Sequence, residues 1–215
     1  MNFCRNLHLP VLLLVPFFVT VSSVVQVQGI GVSAVKAQET TLHEREQKAL
    51  ATAEEALKSQ LQEIKKTTKD KESLTAAEDM LAVLAKPRVP IATDEELQGS
   101  WQVRSLQTGQ YGAYTYPYFK CGISTEGKDL IFHKSTGSQR RKGTLVRVDE
   151  NRYLFTGAAY VEGDPVGRYY AAKDNPTEEQ INHNSVGHLY KLGKGHYLII
   201  FAPSGPNGEM YEMKK

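Results

Sequence analysis

Two hydrophobic periodicities divide this chain. Between residues 38 and 86 the apolar positions step by three and four. Leu50, Ala53, Leu57, Leu61 and Ile64 form one stripe, and Ala77, Met80, Leu81 and Leu84 form a second. The segment is rich in Ala, Leu, Glu, Lys and Gln and contains no Gly or Pro before Pro87. Polar residues 65–72 separate the stripes, and Thr75-Ala-Ala-Glu78 has the spacing of a capping box. The pattern predicts an antiparallel helical hairpin; two short, interrupted stripes give a dimeric coiled coil little support.

Residues 87–93 read as a linker, held extended by Pro87 and Pro90. Thr93-Asp-Glu-Glu96 then caps one helical turn that Gly99 can end. Beyond it the period becomes two. Strands are predicted at residues 100–107, 115–123, 129–133, 143–148, 152–158, 166–171, 186–191, 196–201 and 209–213, with a short helix started by Asn175-Pro176. Residues 135–143 read as a polar, basic loop. Eight or nine short strands at this spacing predict an antiparallel β-barrel over residues 94–215, and with the hairpin an α+β fold. In 115–123, Pro117, Phe119, Cys121 and Ile123 share one face, which suits an interior, while Tyr116, Tyr118 and Lys120 share the other. Val146 with Val148, and Tyr197 with Ile199 and Phe201, offer further apolar faces. An eight-stranded barrel is just wide enough to be filled by side chains or to hold one small ligand, and alternation alone does not choose between these.

Composition changes the picture at the N-terminus. Arg5 without acidic neighbours, an apolar run over residues 11–25 and small residues at Val35 and Ala37 have the form of a secretory signal peptide over residues 1–37, with Val27 and Gly29 marking an alternative cut. The rival is a retained anchor, but the run is shorter than the roughly 20 residues a bilayer needs. Removal of residues 1–37 takes away Arg5 and Lys36. The 26 basic residues then match the 24 acidic ones at 24 each, so no basic field for nucleic acid remains. Cys121 is then the sole cysteine, expected to be buried and free.

Leu97-Gln-Gly-Ser-Trp101 resembles the entrance of a lipocalin-type barrel, where a helical turn precedes Gly-x-Trp and the Trp plugs the closed end against a basic residue. A wider resemblance runs from Leu84 to Lys215. Its marks are LAKP, Gly99-x-Trp101-x-x-Arg104, YPYFKC, TGSQR, Gly143-x-Leu145, residues 154–157, Asp174-Asn-Pro176 and Val186-Gly-His-Leu189. In these the chain resembles an uncharacterised family of exported bacterial proteins known as a domain of unknown function. The resemblance implies export, to a periplasm or outside the cell, and implies no activity. Family members often carry a cysteine near the position of Val103 that could pair with the one matching Cys121; this chain lacks it, so the resemblance also leaves Cys121 free.

The candidate site is the basic loop with its neighbouring strand. Ser138, Gln139 and Arg140 could hold a carboxylate or phosphate together with Tyr116, Tyr118 and Lys120. Equally, the loop could be solvated, and the tyrosines ordinary strand formers or an interface. Gly99, Trp101, Arg104, Phe119 and Cys121 are read as structural. His183, His188 and His196 fit no metal-ligand spacing, no cofactor motif occurs, and no G-x-S-x-G or converging carboxylate pair marks a hydrolase. The expectation is a monomeric, non-enzymatic module that holds a small apolar or anionic ligand or an envelope partner, touching a membrane only through its signal peptide. A small envelope hydrolase or isomerase using Arg140 with a tyrosine or histidine at the barrel mouth is the alternative.

Overall fold

The computed structural model describes residues 42–203 and 205–215. The proposed signal peptide and its cleavage sites lie outside them. Helix α1 spans Glu44–Thr67 and α2 spans Lys71–Leu84. The second helix starts four residues before the Thr75 capping box expected from sequence. Asp70 is the cap, accepting from the Ser73 amide at 2.9 Å, while the Thr75 hydroxyl donates to the Lys71 carbonyl inside the helix. A carboxylate one turn upstream outcompetes the hydroxyl for the exposed amides.

Nine strands follow: β1 (Gly99–Gly109), β2 (Gly112–Thr115), β3 (Phe119–Glu126), β4 (Asp129–Lys134), β5 (Gln139–Arg147), β6 (Arg152–Val161), β7 (Asn184–Gly193), β8 (His196–Phe201) and β9 (Glu209–Lys214). A short helix, α3 (Glu178–Asn182), precedes β7. Neighbouring strands are antiparallel, and β1 pairs with β9 to close an eight-stranded barrel, with β2 as an extra strand along the far half of β1.

Three expectations shift. Residues 115–123 are not one strand. Leu106 faces Thr115 and Val103 faces Phe119, so Tyr116, Pro117 and Tyr118 stand opposite only two residues, a bulge centred on a proline that cannot donate to the ladder. Residues 166–171 form no strand either. The Tyr170 amide and carbonyl are taken by the Asn184 side chain, and Val166 lies 53% exposed. They belong instead to a long strap between β6 and β7. Third, Thr177 rather than Asn175 caps α3, because Asn175 adopts the left-handed conformation that ends the preceding turn.

Alternation sorts the barrel. Trp101, Val103, Cys121, Ile123, Phe132, Leu145, Phe155, Leu189, Tyr197, Ile199, Phe201, Tyr211 and Met213 pack inside, joined by Ile91 and Leu97 from the linker and helical turn. Trp101 closes the narrow end. Its Nε1 donates to the Leu97 carbonyl at 2.7 Å, Tyr197 meets its ring edge-on, and Lys215 Nζ sits 4.3 Å from the ring centroid. Lys215 thus plays the basic partner. Arg104 lies on the outer face, paired with Asp79 and Glu212. Gly143 and Gly157 stand opposite each other, and a Cβ on either would overlap the other strand's backbone at 2.4 or 2.2 Å. Their bare backbones let the Phe155 ring lie across them.

The helical hairpin packs on the outside. Ala53, Leu57 and Leu61 of α1 with Ala76, Ala77, Met80, Val83 and Leu84 of α2 cover Leu106, Ala113, Leu192, Leu198, Ile200 and Met210. Both faces of this part of the sheet are therefore buried, which is why β8 is apolar from Tyr197 to Phe201. No helix among the described residues is long and apolar enough to cross a membrane.

Candidate functional site at the barrel mouth

Apolar filling stops at the rings of Phe201 and Tyr211. Above them the inward positions become polar: Ser105 and Gln107 on β1, Lys134 on β4, Arg141 on β5, Ser185 on β7 and Glu209 on β9. Of these, Gln107, Arg141, Ser185 and Glu209 line a cavity of about 640 Å³, within the ordinary range of small-molecule sites. Its wall includes Gln139, Arg140, Tyr160, Asp164, Arg168 and Tyr170.

Arg141 forms the floor. Its guanidinium lies over the Phe201 ring, 3.8 Å from the centroid, and 4.9 Å from that of Tyr211. Nη2 donates to Glu209 Oε2 at 2.8 Å, whereas Nε and Nη1 are buried without a partner among the described residues. Glu209 also accepts from Ser105 Oγ at 2.7 Å and Gln107 Nε2 at 3.0 Å. Burial alone would raise its carboxyl pKa, but the charge and hydrogen bond of Arg141 and the two neutral donors outweigh this and lower it. Lys134 stands directly opposite Arg141 on the same face and is just as buried. Its ammonium donates to the Thr136 carbonyl at 3.0 Å and to that of Gln139, and burial lowers its pKa. Two buried cations and one carboxylate thus share this level of the barrel, of which Arg141 and Glu209 line the cavity.

The remaining wall is held from outside. Residues 162–183 form the strap between β6 and β7, long for a connection in a compact domain. Glu46 of α1 and the residue that caps the helix, His43, fix it. Buried Glu46 accepts from Tyr169 Oη at 2.5 Å and from Asn184 Nδ2 at 2.9 Å, and His43 Nε2 lies 2.9 Å from the Tyr170 carbonyl oxygen. Farther along α1, Gln60 donates to the Pro206 carbonyl at 2.8 Å and accepts from Thr108 Oγ1 at 2.7 Å, which steadies the β8–β9 loop. The hairpin therefore buttresses two loops that border the cavity.

The sequence candidates divide. Gln139 and Arg140 reach the cavity wall, with Ser138 exposed beside them. Arg140 is already engaged: Nη2 donates to Glu162 at 2.5 Å and Nε to the Gly137 carbonyl at 3.0 Å. Tyr116, Tyr118 and Lys120 are not brought to the cavity. Tyr118 donates to Glu212 at 2.9 Å on the outer face, and the Lys120 carbonyl accepts from Thr136. Phe119 is half-buried behind the loop, with Lys134 Nζ 4.8 Å from its ring centroid. Cys121 is buried and free, and burial pushes its thiol up to about 12. Arg141 was missed. It was masked by reading residues 135–143 as loop and by giving Val146 and Val148 the inner face. Leu145 faces in opposite Phe155, while Val146 faces out opposite Leu154. With Leu145 inside, strict alternation places Gly143 and Arg141 inside as well.

A family model described as a domain of unknown function, DUF4893, matches residues 38–206. The chain belongs to the DUF4893 family. The matched region takes in the helical hairpin together with the barrel as far as the β8–β9 loop, so it includes the buttress and Arg141, while Glu209 on β9 lies beyond it. No curated protein matches the chain. Among solved structures, a redesigned β-barrel is similar at 11% identity and a TM-score of 0.35, covering 57% of this chain and 93% of its own; at that level the likeness carries no argument.

Proposed function

We propose that this DUF4893 protein is an exported, non-enzymatic binding module that takes a small ligand into the mouth of its barrel. The observation that carries the reading is the contrast within the barrel. Its depth is packed with aromatic side chains, whereas its mouth holds a cavity of about 640 Å³ whose bordering loops are pinned by the helical hairpin. Walls already fixed in place lose little entropy when a ligand binds. The polar lining favours a ligand with hydrogen-bonding or charged groups over a wholly apolar one. A screen of small acidic, neutral and basic compounds by thermal shift, with amide chemical shifts to locate each hit, tests the reading. Hits that move Ser185, Gly208 and Gln139 support it; hits that move only outer-face residues, or none at all, count against it. Export is tested by the mass of the protein recovered from its native host, which should lack residues 1–37 or the shorter leader ending at Gly29.

One contact favours a second reading, a small hydrolase or isomerase. His133 Nε2 and Tyr160 Oη are 2.7 Å apart, and Tyr160 lies on the cavity wall opposite Arg140 in the strand pair. Turnover of an ester or keto–enol panel that disappears in Tyr160→Phe while binding persists would establish it.

A further inference from the structure

Within the mouth, the feature not explained by packing is the positive charge. Arg141 is more than nine-tenths buried, always protonated, and spends one of its three nitrogens on Glu209. Nε and Nη1 have no partner among the described residues. A buried donor left unmatched is destabilising, and a cation directly opposite another across a strand pair adds repulsion. Lys134 is that second cation, and its own hydrogen bonds go to neutral carbonyls. Glu209 pairs with only one of the two cations and already accepts from Ser105, Gln107 and Arg141.

We infer that Arg141 is the anchor for the single carboxylate of a small ligand, bound in the mouth with its neutral part along the wall formed by Tyr160, Val161, Pro165 and Tyr170. This rests on the mouth being the binding site. The free donors set the class: Arg141 has two unpaired nitrogens, which match one carboxylate, and Arg168 adds a further cation on the wall. Asp164 and Glu179 also line the cavity and disfavour more highly charged anions. Arg140 does not compete for the carboxylate, because Glu162 and the Gly137 carbonyl hold it. The Phe201 ring beneath the guanidinium keeps Arg141 flat and dry, and charge-assisted hydrogen bonds gain most in such surroundings.

The test uses the full chain with benzoate and octanoate, each against its primary amide, and with inorganic phosphate, by calorimetric titration. The carboxylates are expected to bind about tenfold or more tightly than their amides, and phosphate more weakly than either carboxylate. The pair Arg141→Met with Glu209→Gln, which removes both charges together, should abolish the carboxylate–amide difference. Arg141→Lys, which keeps the charge but loses the planar donors, should reduce it. The wild-type comparison stands whether or not the double variant folds. Amides and carboxylates that bind alike, with shifts at Ser185 and Gly208, would overturn the role of Arg141 and leave the mouth as the site. Phosphate binding more tightly than benzoate would overturn the carboxylate assignment. No binding by any probe would overturn both readings.

Discussion

Replacing Glu212 by Gln should cost about 3 kcal/mol of folding stability at pH 7. Glu212 is fully buried on the outer face of β9, where the end of the helical hairpin meets the barrel. It accepts from Arg104 Nε at 2.6 Å and Tyr118 Oη at 2.9 Å, lies 2.7 Å from His196 Nε2, and has Lys214 at 3.1 Å and Lys86 at 3.8 Å. Arg104 continues the network to Asp79 of α2 at 2.7 Å. Burial raises the Glu212 carboxyl pKa, but the hydrogen bonds from Tyr118, Lys214 and Arg104 outweigh it and bring the carboxyl from 4.5 to about 2. At 1.36 kcal/mol per unit that difference is worth about 3 kcal/mol in favour of the ionised, folded state. The folded-state value lies below the unfolded one, so the contribution is complete above about pH 4.5 and is lost as pH falls from there towards 2. Glutamine keeps the shape and leaves Arg104, Lys86 and Lys214 facing a neutral group. Urea unfolding followed by far-ultraviolet circular dichroism at pH 7, 4.5 and 3 measures both effects. The variant should be weaker at pH 7 and should lose less stability than the wild type on acidification. A change below about 0.5 kcal/mol at pH 7, or an unaltered acid slope, would show that the ionised Glu212 network does not stabilise the fold.

Further outcomes follow from the same geometry. Cys121, with its thiol pushed up to about 12 and 5% of its surface exposed, should resist thiol reagents in the folded protein and react only on unfolding; labelling at the rate of a free thiol would contradict its inward placement. Trp101 is the sole tryptophan and sits at the closed end, so its emission should be blue-shifted and stay unchanged when a ligand fills the mouth. Quenching on binding would move the ligand into the barrel's depth. Leu61→Ala, at a fully buried position between hairpin and barrel, should cost about 2–5 kcal/mol with a single unfolding transition. Two separate transitions would show a hairpin that folds independently of the barrel.

Much of the fold is written in period. The bounds of β8, the stripe of α1 and the inward Cys121 follow directly from alternation or helical spacing, whereas Trp101 at the closed end was implied by the lipocalin resemblance. The losses occur where two signals share the same residues. Leu145 and Val146 are both apolar although only Leu145 lies in the barrel core; Val146 is half-buried on the outer face opposite Leu154. Parity there is therefore ambiguous, and the wrong choice turned Arg141 outward. Residues 166–171 alternate like a strand, yet their backbone is claimed by side chains of Asn184 and His43 from distant parts of the chain. No local pattern records that. The bulge at Tyr116–Tyr118 was signalled by Pro117 but was overridden by the alternation on either side. The candidate site was half legible. Gln139 and Arg140 border the cavity, while the residue that anchors it is their neighbour.

The most direct measurement is an NMR titration of the full chain with benzoate, following the side-chain Nε–Hε resonance of Arg141 and the backbone amides. A large, saturable shift of the Arg141 signal is expected together with Ser185, Gly208 and Gln139, with little change at Trp101. An unmoved Arg141 resonance at saturating benzoate, or shifts centred on the closed end or the hairpin face, would contradict it.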